Sequence, residues 1–204
     1  MITTRGEAAA RKELEKRLAA VLQTGVSRDA KDFVCRKLMV IGTAESVPAL
    51  AALLPEKDHS HMARFALERI PAAEAAQALR DALPKTSGPL KAGVIGSLGV
   101  RRDAASVPAL SALLGDADAG VAAAAAFALG DIRTPEAAKA LSEARPAGAE
   151  ATSAATDASL ACAEGLLAGG KKAEALAIYK SLSGEGQPKH VRLAATRGML
   201  ACAG

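Results

Sequence analysis

The sequence predicts an all-α protein, a right-handed α-solenoid (α-α superhelix) of about five to six short helix pairs, and three observations carry that prediction. Half the 204 residues are apolar, yet there are only three Phe, one Tyr and no Trp. Much of the apolar count is alanine, and a core of small side chains demands the close backbone approach that helices stacked side by side provide. Segments 45–54 and 105–114 are near copies of each other, matching at eight of ten positions. Finally, Leu50, Leu79, Leu110, Leu141 and Leu176 recur at spacings of 29, 31, 31 and 35 residues, the length of two short helices and two turns.

Taken in order, a helix over about 4–23 caps the stack within residues 1–26, and 27–204 forms the solenoid. Repeats are expected at 27–56, 57–85, 86–115, 116–147 and 150–185. A helix over 188–203 reads as the first half of a truncated further pair, so the stack is expected to continue. The first helix of each pair is expected to stop at Gly42, Pro71, Gly99, Gly130 and Gly169, Gly as a left-handed cap and Pro as a block. Second helices should open with Pro48, Pro108 and Pro135 in the first turn and with Ser46, Ser106 and Thr134 as N-caps. The small-residue stretch 145–157 is expected to be a flexible insertion. Phe33, Phe65 and Phe127 should lie on one helical ridge facing the core. Gly93 and Gly96 should mark close helix packing, and Cys35, Cys162 and Cys202, in apolar settings, should be buried free thiols.

Charge and chemistry narrow the function. The net charge of +4 comes from 26 Lys and Arg interleaved with 22 Asp and Glu, without a run of five like charges. That pattern, with so few aromatics, argues against a nucleic-acid binder. No apolar run approaches the ~20 residues that cross a bilayer, so no membrane role is expected. The chain is expected to be soluble and, unless cut from a longer exported protein, cytoplasmic by default. His59 and His61 are the closest histidines, but two residues apart on a helix they point about 200° away from each other. No Ser or Cys sits in a strand-turn-helix elbow, and the glycine-rich 93–99 follows no strand and lacks the phosphate-loop lysine. The expectation is therefore no catalytic, cofactor-binding or metal residues, no cofactor, and no enzyme activity.

The run Asp116-Ala117-Asp118-Ala119-Gly120-Val121 through Ala126-Phe127-Ala128-Leu129-Gly130-Asp131, followed by Thr134-Pro135-Glu136 and Ala137-Ala138-Lys139-Ala140-Leu141, resembles the short HEAT-like repeat. That repeat is best known from bacterial phycobilisome-lyase-type proteins, and the resemblance covers about 27–204. Val191-Arg192 follows the family pattern, whereas the fourth repeat has Ala122 in place of the Arg. The segment Ala173-Glu174-Ala175-Leu176-Ala177-Ile178-Tyr179 is similar to a tetratricopeptide helix. The resemblance implies an armadillo-like helical architecture used in scaffolds, lyase subunits, chaperone-like factors and modules appended to enzymes.

A solenoid without catalytic residues works through its surface, so the expected partner is another protein or a peptide segment bound on the concave, second-helix face. Aligned on the anchor leucines, the positions free of the core include Ala51, Arg80, Asp81, Ser111, Ala112, Lys139, Ser142 and Glu143, with Pro48, Gln77 and Pro108 beside them. This face is expected to be small-sided and mostly neutral. A basic rim of Arg101, Arg102, Arg133, Lys171 and Lys172, at equivalent turns, is the second candidate surface. It leaves open nucleic-acid binding through a basic groove or rim; ligand handling of the lyase or chaperone kind is the other alternative.

Overall fold

The computed structural model describes residues 7–146 and 148–204, in which every regular element is helical. The chain divides into two compact units, Met1–Arg101 and Arg102–Gly204. The first contains α1 (Ala8–Val21), α2 (Arg28–Ile41), α3 (Val47–Ala51), α4 (Ser60–Arg69), α5 (Ala73–Ala82) and α6 (Gly88–Val100). The second contains α7 (Val107–Leu113), α8 (Ala119–Ile132), α9 (Pro135–Glu143), α10 (Ala149–Ala168), α11 (Lys172–Leu182) and α12 (Lys189–Ala203). The chain is thus an all-helical repeat fold, with helix pair stacked on helix pair inside each unit. The expected start of the first helix, Thr4, lies outside the described residues.

In the first unit, first helices pack in the order α2, α4, α6 and second helix α3 packs on α5. The core is branched and aliphatic: Leu38, Leu50, Leu67, Leu79, Ile95 and Leu98 are all fully buried. Polar ties close the edges. The Arg11 guanidinium donates to the Val40 carbonyl at 3.0 Å. The buried carboxylate of Glu15 accepts from the Thr43 N–H at 2.6 Å and from its hydroxyl at 3.0 Å.

In the second unit, α8, α10 and α12 are the first helices, and α8 and α10 meet through alanine. Helix α8 is apolar all round because α7, α9 and α10 all pack on it, so its Ala122, Ala123, Ala125, Ala126 and Ala128 are buried together. A Cβ placed on Gly130 would lie 2.9 Å from the Ala158 Cα, which means the two backbones touch there.

Several local expectations are corrected. Ser46 and Ser106 are not N-caps: each ends a single 3₁₀ turn, Ala44–Ser46 or Ala104–Ser106, and its buried hydroxyl donates backwards to Thr43 O at 3.1 Å or Asp103 O at 2.7 Å. Thr134 does cap, accepting from the Ala137 N–H at 3.2 Å. Gly42 is extended rather than left-handed, while Gly99 and Gly130 lie inside their helices. The left-handed residues after those helices are Arg102 (φ 51) and Arg133 (φ 57), and after α10 it is Gly170 (φ 79).

Residues 149–157 are no insertion but the opening turns of the 20-residue α10, held by buried Ala151, Ala154 and Ala155. The fifth anchor is not Leu176, which is half-buried, but Tyr179, whose ring fills the space a Gly198 side chain would need. The phenylalanine ridge does not face the core: Phe33 and Phe127 are about half exposed and Phe65 is partly so. Two of the rings instead take cations, Lys37 Nζ 4.7 Å from the Phe33 centroid and Arg69 5.2 Å from that of Phe65. Gly93 is covered by the Arg64 guanidinium, which donates to its carbonyl at 2.9 Å, but Gly96 faces open space and marks no close packing. Cys35 and Cys162 are buried and free; Cys202 is only half-buried.

Candidate binding grooves on the second helices

The second helices leave grooves between them, lined by short side chains such as Ala51, Ser111 and Ser142 beside longer charged ones. In the first unit a groove of about 300 Å³ runs between α3 and α5, and Pro48, Ala51, Gln77 and Asp81 line it. In the second unit a groove of about 430 Å³ between α7 and α9 is lined by Ser111, Lys139 and Glu143. It adjoins a larger one of about 630 Å³ between α9, α10 and α11, with which it shares Lys139 and Ala144 and which Ser142 also lines. The expected second-helix residues therefore meet in grooves, within each unit, with three exceptions. Ala112 and Pro108 are exposed but line none of these grooves. Arg80 lines none either and donates to Gln77, whose amide in turn donates to Asp81, both at 2.7 Å.

The lining is not neutral, contrary to expectation. Glu74, Asp81, Glu136, Glu143 and Glu174 line these three grooves against two lysines, Lys85 and Lys139. Register explains the regularity. Glu74, Glu136 and Glu174 each stand five residues before the buried anchors Leu79, Leu141 and Tyr179, in the first turn of α5, α9 and α11. There the positive end of the helix dipole favours a carboxylate. The Glu136 carboxyl is held below the ordinary carboxylate range, first by its own backbone N–H and then by the Thr134 hydroxyl. Asp81 and Glu143 stand two residues after Leu79 and Leu141. Sequence reasoning missed the first-turn glutamates, although the anchor register held the signal; only in the last repeat did it depend on knowing that Tyr179, not Leu176, is the anchor.

Two of the expected rim residues are tied to their neighbours rather than extended into solvent. Arg101 points inward, its guanidinium donating to the carbonyls of Leu67, Glu68, Ile70 and Ala72 and so capping the end of α4. The aliphatic stem of Arg133 packs where a Gly165 side chain would be. Arg102, Lys171 and Lys172 are exposed, and the Lys171 charge acts on Glu136.

Among the described residues no group of three or more His, Cys, Asp or Glu could hold a metal ion. His59, just before α4, lies 3.9 Å from Glu56, while His61 stacks on Phe65. Burial pushes the Cys35 and Cys162 thiols from 9.0 up to about 11, so neither is a ready nucleophile. No described helix is long and apolar enough to cross a membrane.

Helix pairs at a thirty-residue period, with grooves on their second helices, define the class: a helical-repeat protein. A family profile for HEAT repeats matches residues 76–161, from the second helix of one pair into α10. Comparison with curated proteins finds no match. Among solved structures, the designed armadillo repeat protein YIII(Dq)4CqI aligns over 92% of this chain and 99% of its own at 19% identity, with a TM-score of 0.45.

Proposed function

We propose that this protein is a non-enzymatic interaction module that binds a segment of another protein in the grooves of its second helices. The observation that carries the reading is the convergence of repeat-equivalent positions, several of them short-chained, on open grooves, the largest of which has an apolar floor of Leu141, Leu166 and Leu182. Short side chains let a partner backbone approach, and a groove of this size accepts several side chains. Carboxylates along the lining would repel a phosphate backbone, which disfavours nucleic acid at this face. The 630 Å³ groove is also within the range of small-molecule sites, so ligand handling is the second reading.

Panning a random peptide library on the immobilised full chain tests the first. Selected peptides are expected to lose binding to a Ser142→Arg/Ser181→Arg variant, which blocks the groove from two exposed positions, while its circular dichroism stays that of the parent. Binders that ignore these substitutions would overturn the reading, and a thermal shift with small molecules but no peptides would favour ligand handling.

A further inference from the structure

Resting on that reading, we infer that the grooves of the second unit select a cationic amphipathic peptide segment, one that alternates aliphatic residues with lysine or arginine. Two features of the lining converge on this partner. The lining of the adjoining grooves carries Glu174 in the larger and Glu136 and Glu143 in the smaller against the shared Lys139, with Lys171 near Glu136, although the chain as a whole has a net charge of +4. Lys139 is itself engaged, 3.8 Å from Glu143. Bulk charge would repel a cationic peptide, so a preference for one at these grooves rests on this local excess of carboxylate.

The second feature is the orientation of the hydroxyls. Five line the larger groove, and each spends its proton on its own helix: Ser142 on Lys139 O (2.8 Å), Thr152 on Gly148 O (2.8 Å), Thr156 on Thr152 O (3.0 Å), Ser159 on Ala155 O (2.7 Å) and Ser181 on Ile178 O (2.7 Å). A hydroxyl has one donor and two lone pairs, so in this arrangement what the five present to a visitor is acceptor capacity. The larger groove thus offers lone pairs and the Glu174 carboxylate above a floor of Leu141, Leu166 and Leu182, and the adjoining groove adds Glu136 and Glu143. A segment rich in N–H donors with aliphatic side chains satisfies all three, whereas an acidic segment would find repulsion and few donors.

The test measures fluorescence anisotropy of three short labelled peptides on the full chain: alternating Leu/Lys, Leu/Gln and Leu/Glu. The Leu/Lys peptide is expected to bind about tenfold more tightly than Leu/Gln, and Leu/Glu not at all. A Glu136→Gln/Glu143→Gln/Glu174→Gln variant should bring Leu/Lys down to the Leu/Gln affinity and leave Leu/Gln unchanged; all three sites are exposed, so folding should survive. Equal binding of the three peptides, still lost with Ser142→Arg/Ser181→Arg, would overturn the charge selection and leave the groove as the docking site. Leu/Lys binding untouched by the glutamine variant would place the preference elsewhere on the chain and overturn the inference. No binding of any peptide would overturn both.

Discussion

The two units share one repeat period and solve the packing problem differently. The first fills its interior with leucine and isoleucine and ties its edges with the buried Glu15 and the half-buried Arg11, Arg64 and Arg101, each reaching a neighbouring element. The second brings α8 against α10 through alanine and Gly130, with backbones in contact. The first can lose a methyl group and relax in part; the second has no volume to lose but none to spare. A repeat is thus a rule about spacing along the chain, and side-chain volume decides how far apart the helices sit.

The comparison can be broken by substitutions of opposite kind. Leu110→Asp, which buries an unpaired charge at a fully covered site, should cost roughly 5 kcal/mol and strip hydrogen-exchange protection from α7 to α9. Gly130→Val should cost on the order of 3 kcal/mol in urea unfolding, because α10 backbone already occupies the space; the same valine at Gly96, which faces open solvent, should cost little. In the first unit Arg101→Met should cost about 3 kcal/mol by leaving the α4 carbonyls uncapped, and Arg101→Lys should recover only part of it.

Alkali should make the units alike. Each holds one buried thiol whose folded pKa, about 11, exceeds the ordinary 9.0. Below pH 9 the thiol is protonated folded or unfolded and its contribution is intact. As pH rises, the unfolded chain ionises first, so stability should decline from about pH 9 to about pH 11, by on the order of 2 kcal/mol per thiol. Cys35→Ala and Cys162→Ala should each remove that slope from one unit in denaturation series run across pH. The smallest effect belongs to Lys139→Ala: loss of its exposed pairing with Glu143 should change stability by about 0.3 kcal/mol while altering peptide affinity.

The helix pairs were legible because their signals are local. Proline in a first turn, glycine near a helix end and leucine at a fixed period need no tertiary knowledge, and they located α2 to α9 within a few residues, while the opening turns of α10 read as an insertion. What was not legible depended on the neighbouring repeat. Arg101 looks like a rim cation until the carbonyls of Leu67 and Ile70, more than thirty residues earlier, are placed under it. Phe127 looks like core until α8 is packed among its neighbours and the ring stands about half exposed. Ser46 and Ser106 mimic caps because the intervening 3₁₀ turn leaves no pattern of its own. The groove positions followed from the anchor register, but their acidity did not, since a first-turn glutamate reads equally as a dipole partner.

The placement of the cysteines has an experimental use. Cys35 lies sealed in one unit and Cys162 in the other, while Cys202 is partly open. Under native conditions a thiol reagent should modify Cys202 within the mixing time, then wait for each unit to open before reaching the remaining two. The rates of those slow phases, assigned by peptide mass, would clock the opening of each unit inside the intact chain without adding any probe.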